Sequence, residues 1–346
     1  MQRIGRTRGL AIVVLAVVMT VGAISGARPA AAQSGGSGGS SSGSTGKNLT
    51  VVNYNILHGI FCPTETDACR ASDRVALFLR QLEDAKCPQV VGLQEVSGQL
   101  AGLIKDQLPG ACGGKYKLAM SVTEGNDKEL VFSTLPAKHP KVLPLPGGLR
   151  NATRVELQSD LGPVVLVVTH QDGDKSFPAC RNDIERYKCP KPCTEGATFA
   201  ECQTILAEEF ADAVGSKQAL RLYMGDFNVP AGSPRYQRLI ERGWVDSHLA
   251  AGNAECDQAT GVNCTAGRND VTLTALQDPT TKESERIDFI FVKAPKRCTP
   301  KYDSGTDGDG DGTGTGLFAA KPAVNGPSGL VWPSDHTAVS MDLSCA

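Results

Sequence analysis

Apolar residues recur along this chain in two rhythms. Short β-branched or apolar runs bounded by turn formers predict strands over residues 49–56, 90–93, 164–169, 220–224, 287–292 and 337–343. Helical spacing lies between them: residues 72–84 place Val75, Leu79 and Leu82 on one face with Ser72 as N-cap. Residues 203–214 and 233–242 follow the same rule. Strands and helices stay intermixed and no internal repeat shows, which predicts one α/β domain over residues 48–346.

The N-terminus has a different pattern. Arg3, Arg6 and Arg8 precede an apolar run from Leu10 to about Ile24, and Ala30 and Ala32 supply an A-x-A site. This predicts a secretory signal over residues 1–32, cleaved after Ala32, and hence a secreted protein with no integral membrane segment afterwards. An uncleaved anchor is the alternative, which Gly22, Ser25 and Gly26 weaken. Residues 33–47 are a Gly/Ser-rich linker with almost nothing to build a core from.

Composition adds little to the fold and something to the function. Hydrophobic residues at 40% and charged residues at 21% suit a globular chain. Losing residues 1–32 removes four arginines (Arg3, Arg6, Arg8 and Arg28) and no acids, so the net charge moves from −2 to −6. Overall charge therefore does not advertise a polyanion binder, although a local basic patch would not show in it. Twelve cysteines behind an export signal predict disulfides, with Cys62–Cys69 and Cys256–Cys264 as close pairs. A zinc site would draw on Cys189, Cys193 and Cys202.

Polar residues interrupt the apolar runs at their ends. Asn53 and Asn55 sit in the first run, and Glu95 closes the second. Thr169-His170 ends another, and Gly225-Asp226-Phe227-Asn228 follows residues 220–224. Asp288 lies inside Arg286-Ile287-Asp288, and Ser334-Asp335-His336 opens the last strand. Any one of these reads as a cap or a turn. Six together would bury carboxylates and imidazoles at a cost that pairing or a cation must offset.

Tyr54-Asn55-Ile56, Gln94-Glu95, Thr169-His170, Gly225-Asp226-Phe227-Asn228, Arg286-Ile287-Asp288 and Ser334-Asp335-His336 together resemble, in this order, the signature motifs of the endonuclease/exonuclease/phosphatase superfamily. The resemblance spans about residues 48–344. It implies a four-layer α/β/β/α sandwich of two packed mixed sheets flanked by helices, with the site at one end of the sheets. It further implies Glu95 as principal ligand of a divalent cation, Mg²⁺ with Mn²⁺ or Ca²⁺ as alternatives, completed or supported by Asn55 and Asp335. Hard oxygen donors of this kind suit Mg²⁺. His336 would contact phosphate with Asp288 on its far nitrogen, and Asp226 would position and deprotonate the attacking water. Asn228 and His170 would donate hydrogen bonds to the phosphoryl group and its developing charge.

Other residues are less committed. Arg154 is a weak candidate for a supporting cation, against a plain strand-edge arginine. His58 either lines the cleft or is a turn residue, and His139 and His248 have no motif around them. Asp307, Asp309 and Asp311 with Gly312 resemble the first half of an EF-hand loop, yet position twelve is Phe318. A structural Ca²⁺ and a flexible acidic loop are the two readings there. Residues 171–202 look like an insertion that walls one side of the cleft. The expected substrate is nucleic acid, favoured over phospholipid or inositol phosphate, for an enzyme acting as a monomer. A sphingomyelinase-like or inositol-type phosphatase activity is the alternative enzyme reading, and a non-catalytic binding module on the same fold is a third.

Overall fold

The computed structural model describes residues 47–58, 70–96, 98–122, 128–174, 178–213, 218–268, 273–294, 300–302 and 314–345. The strands are β1 (Lys47–Asn55), β2 (Val90–Gln94), β3 (Lys117–Ser121), β4 (Leu130–Ser133), β5 (Ala137–Pro144), β6 (Asn151–Ser159) and β7 (Gly162–His170). They continue as β8 (Leu220–Asp226), β9 (Val245–Asp246), β10 (Asp288–Lys293), β11 (Pro300–Tyr302), β12 (Gly316–Phe318) and β13 (Ala338–Cys345). The helices are α1 (Ala71–Asp84), α2 (Gly98–Gln107), α3 (Ala111–Gly114), α4 (Phe199–Asp212), α5 (Pro234–Glu241), α6 (Ser247–Ala250) and α7 (Leu273–Gln277).

Two sheets result. One has the order β11-β13-β1-β2-β4-β3, with β12 also paired to β13; the other runs β5-β6-β7-β8-β10-β9. Each is mixed for the same reason. A crossover carrying a helix joins β1 to β2 through α1 and β7 to β8 through α4, and these pairs are parallel. The remaining pairs are antiparallel.

Strand parity then sorts the side chains into three cores. Leu49, Val51 and Val90 of the first sheet meet Val164, Leu166, Val168, Leu222, Met224 and Ile290 of the second in a layer between the sheets. The opposite faces pack on helices: Val52, Tyr54, Val91 and Leu93 against Val75, Phe78 and Leu82 of α1. Val167, Tyr223, Phe289 and Phe291 pack against Ala207 and Ala211 of α4 and Tyr236 and Leu239 of α5. The four-layer α/β/β/α sandwich expected from the motifs is the observed architecture, in one domain.

Helix starts depart from the apolar rhythm. α1 begins at Ala71 behind Arg70, which is left-handed (φ 53), and no side chain caps it, so Ser72 is not the N-cap. α4 begins four residues before residue 203 because Thr198 and Glu201 form a capping box. Ser233 does cap α5, its Oγ accepting from the Tyr236 N–H at 3.2 Å.

Disulfides join Cys87–Cys112, Cys180–Cys189, Cys193–Cys202 and Cys256–Cys264. The last is the expected close pair. Cys189, Cys193 and Cys202 are consumed by two bridges, which removes the zinc alternative. The signal over residues 1–32, the tether over 33–46, the Cys62–Cys69 pair and the Asp307, Asp309 and Asp311 loop lie outside the described residues. Among the described residues no helix is long and apolar enough to cross a membrane.

Candidate active site

The polar cluster begins where the apolar layer between the sheets ends. Asn55 shares the parity of Leu49 and Val51, His170 that of Val164–Val168, Asp226 that of Leu222 and Met224, and Asp288 that of Ile290. Strand register brings them level: His170 pairs with Asp226 across the parallel β7–β8 ladder, and Asp288 faces Asp226 across β10–β8. One layer of side chains, one end of the sandwich, holds four of the predicted residues.

Glu95 and Asn228 enter by a local departure from strand geometry. Glu95 follows β2 with φ 60 and Asn228 follows β8 with φ 51, left-handed values that turn the chain sharply at the sheet end. Asn55 Nδ2 then donates to Glu95 Oε1 and to Asp226 Oδ2, each at 3.0 Å. The Asn228 N–H donates to Asp226 Oδ1 at 2.8 Å. Gly225 is required just before: a Cβ there would stand 1.9 Å from the Thr169 carbonyl oxygen.

The loop ahead of β13 delivers Asp335 and His336. Ser334 Oγ donates to the Asn55 carbonyl at 2.7 Å, and buried Arg74 of α1 ties Ile56 O at 2.6 Å to Pro333 O at 3.2 Å. Arg268 braces the same loop, its guanidinium 3.8 Å from the Trp332 ring centroid and its Nη1 on His336 O at 3.1 Å. His336 Nδ1 lies 2.9 Å from Asp288 Oδ2, and its Nε2 is 3.9 Å from Asp226 Oδ2.

Arg150 is the residue the sequence reading missed. Its Nη1 sits 2.7 Å from His170 Nδ1, and its Nε donates to Asp172 Oδ1 at 2.8 Å. A guanidinium can only donate, so Nδ1 accepts and the neutral ring carries its proton on Nε2. That nitrogen lies 3.4 Å from Asp226 Oδ2, its acceptor, and 3.1 Å from Asn228 Nδ2, which donates to Gln171 O at 2.8 Å. Arg154, the candidate chosen from sequence, points the other way. It donates to Phe210 O and Ala213 O and lies over the Phe210 ring, so it fastens α4 to β6.

His58 does line the site, donating its backbone N–H to Glu95 Oε2 at 3.0 Å with its ring 3.4 Å from the same oxygen. His139 pairs with Glu156 and His248 with Ala254 O, both away from the cluster.

Charge is divided within the site. Burial works against an ionised Glu95, but His170, His58 and the Asn55 amide outweigh it and hold the carboxyl at about 2. Burial pushes His170 and His58 down from the ordinary imidazole range, while the neighbouring carboxylates, Asp226 for His170 and Glu95 for both, pull them back up. Burial also opposes charge on His336, yet the Asp288 carboxylate overrides it and pushes the imidazole well up. Asp288 itself is pushed up to about 6 by burial. Asp335 is raised, first by burial, with His336 opposing and the Glu95 carboxylate adding to the rise.

These donors fit a divalent cation. Glu95 and Asp335 offer hard oxygens whose mutual repulsion an ion would relieve. Glu95, His170 and Asp226 also come within 4.8 Å of one another, but the proton on His170 Nε2 leaves that nitrogen no lone pair for an ion. Asp226, Asp288 and His336 do the same, but the His336–Asp288 contact already closes that group internally.

A model of the Endonuclease/Exonuclease/phosphatase family matches residues 52–336. No functionally curated protein matches the chain. Among solved structures, Danio rerio TDP2 complexed with single-strand DNA product is similar at TM-score 0.57 and 14% identity, covering 86% of this chain and 99% of that one. The human Nocturnin catalytic domain with bound sulfate gives TM-score 0.53 and 16% identity over 86% and 95% of the two chains. A mannosyl-6-phosphatase of Bacteroides thetaiotaomicron gives 0.55 and 16% over 85% and 99%.

Proposed function

This chain belongs to the endonuclease/exonuclease/phosphatase family of metal-dependent phosphoester hydrolases, and from that premise we propose a secreted phosphodiesterase that cleaves nucleic acid by in-line attack of water. The surroundings of Asp226 carry the reading. This buried carboxylate has the Asn55 amide at 3.0 Å, His170 Nε2 at 3.4 Å, His336 Nε2 at 3.9 Å and the Asn228 N–H at 2.8 Å. A base set among groups suited to bind a phosphoryl oxygen is what hydrolysis of a phosphodiester needs.

Asp226 orients the water and takes its proton. The His336 imidazolium, kept charged by Asp288, donates to a phosphoryl oxygen. Neutral His170 donates through Nε2, and Asn228 through its amide. A Mg²⁺ ion held by Glu95 and Asp335, with Asn55 orienting Glu95, would polarise the phosphoryl oxygen and stabilise charge on the leaving oxygen. Water can attack phosphorus directly, so no covalent intermediate is required.

A soluble substrate is favoured over a membrane one. Trp244 and Trp332 are both buried, leaving no tryptophan to enter a bilayer. The apolar start and A-x-A site support export, and the disulfides among the described residues suit an oxidising compartment.

Incubating the purified chain with plasmid DNA, RNA, sphingomyelin, an inositol phosphate and mannose 6-phosphate, with Mg²⁺ and with chelator, tests the proposal. Metal-dependent cleavage of DNA or RNA is the expected result. Turnover of only the lipid or a phosphomonoester would replace it.

A further inference from the structure

A groove of about 700 Å³ opens between the β5–β6 turn, which leads into Arg150, and residues 178–199. Buried Leu145 and Phe199 line it from within, and Arg186, Tyr187 and Lys188 line it at the solvent side. Among the described residues no acidic side chain lines it, although the chain as a whole carries a net charge of −2. Glu185 does reach Lys188 at 3.4 Å, but both are in solvent, where such a pair holds the lysine weakly.

The groove wall is layered and braced. The Arg186 guanidinium lies 4.6 Å from the Tyr187 ring centroid, and Tyr187 leans on Phe199 with centroids 6.3 Å apart. Cys180–Cys189 closes this segment on itself, and Cys193–Cys202 fastens it to α4. The Arg181 N–H donates to Tyr187 O at 2.6 Å, fixing the turn that presents the ring.

Hydrogen bonds link the groove to the reacting centre. Gln203 of α4 donates to Pro146 O in the groove wall at 2.7 Å and to Asp172 Oδ2 at 2.6 Å. Asp172 holds Arg150, and Arg150 holds His170. A ligand seated in the groove therefore lies against the same framework that orients the catalytic histidine.

We propose that this groove is a nucleotide subsite, taking the base and phosphate of the nucleotide next to the scissile phosphodiester. The inference deepens the phosphodiesterase reading and rests on it for the chemistry next door. The volume is within the range of small-molecule sites. Guanidinium and aromatic planes are the surfaces on which unpaired bases stack, and two cations suit the flanking phosphates. A choline headgroup would bring a third positive charge to the wall, and an inositol phosphate offers no planar face to the platform.

Binding can be read without turnover. The full, oxidised chain carrying Asp226→Asn is titrated against fluorescent single-stranded oligonucleotides, one DNA and one RNA, by anisotropy. Adding Tyr187→Ala should weaken binding about tenfold, within the range for losing one stacked base, whereas Tyr187→Phe should retain it. Replacing Arg186 and Lys188 by Ala should lessen the salt dependence. Lys105→Ala, on α2 against the other sheet, should change the affinity less than twofold. Equal affinity for Tyr187→Ala and the Lys105→Ala control, or no binding by any of them, overturns the subsite. Hydrolysis of bis(4-nitrophenyl) phosphate by the wild-type chain reports the chemistry separately. Groove-dependent binding without hydrolysis would sink the catalytic reading alone, and hydrolysis without groove-dependent binding would sink the subsite alone.

Discussion

Two arginines four positions apart have opposite fates, and register explains why. Ala152 pairs with Thr169 across β6–β7, which sets Arg150 beside His170 at the site end of the ladder. Arg154 pairs with Val167 deeper in the sheet and shares the parity of Ala152 and Val167, which face α4. The sequence shows both arginines but not the register that separates them. Arg150→Ala should lower kcat by roughly tenfold or more while KM moves less, because Arg150 positions His170 through a charge-assisted hydrogen bond. Added guanidinium should recover part of the loss. Arg154→Ala should leave kcat within twofold and lower the melting temperature. Steady-state kinetics and thermal unfolding of the two variants separate the roles; equal kinetic losses would contradict the assignment. His336 gives a pH signature. Its charge depends on ionised Asp288, whose carboxyl is pushed up to about 6. Acidification through that value protonates Asp288 and removes the partner, so kcat/KM should fall on the acid side of about pH 6 and hold above it. Asp288→Asn should lower the plateau and abolish that limb. A profile still flat in wild type down to pH 4 would rule the pair out as a working unit.

Elements were legible where burial is complete. The strands around residues 91, 166, 222 and 290 are apolar runs buried on both faces, which announce themselves without any alternation, whereas β13 alternates Val339, Met341 and Leu343 with Ser340, Asp342 and Ser344. β5 did not announce itself, since Ala137–Pro144 is exposed along almost its whole length and carries two lysines and a histidine. The start of α4 was written in the chain as Thr198-x-x-Glu201, a cap signature that apolar spacing from residue 203 overlooks. Thr198→Ala should cost about 1 kcal/mol of stability, the usual worth of an N-cap hydroxyl. Because this cap lies within the loop closed by Cys193–Cys202 and just ahead of Gln203, urea denaturation and oligonucleotide binding measured on the same variant would show whether the groove loosens with it. No change in either would mean the bridge alone holds the segment. Gly225 marks the opposite extreme. Gly225→Ala should prevent close approach of β7 and β8, and is expected to yield little soluble, cooperatively unfolding protein; a normal transition would show that Thr169 can yield.

At the scale of the molecule, two parallel crossover pairs place their strand ends together, and the layer between the sheets changes there from apolar to ionisable. The six motifs were readable as a set because every one interrupts an apolar run at that level. What the sequence could not convey is the brace behind them: Arg74, Arg268, Arg150 and Asp172 come from helices and loops with no motif of their own, and only the fold shows what they hold. The same holds for the groove, whose residues are unremarkable in order and meet only because two disulfides fold their segment beside the β5–β6 turn. Plasmid cleavage by the purified chain and by Asp226→Asn, each with Mg²⁺ and with chelator, tests the role of the active site most directly. Mg²⁺-dependent nicking by the wild type is expected, abolished by chelator and at least about a hundredfold slower in Asp226→Asn. Cleavage that persists in chelator, or an Asp226→Asn chain as fast as wild type, would contradict it.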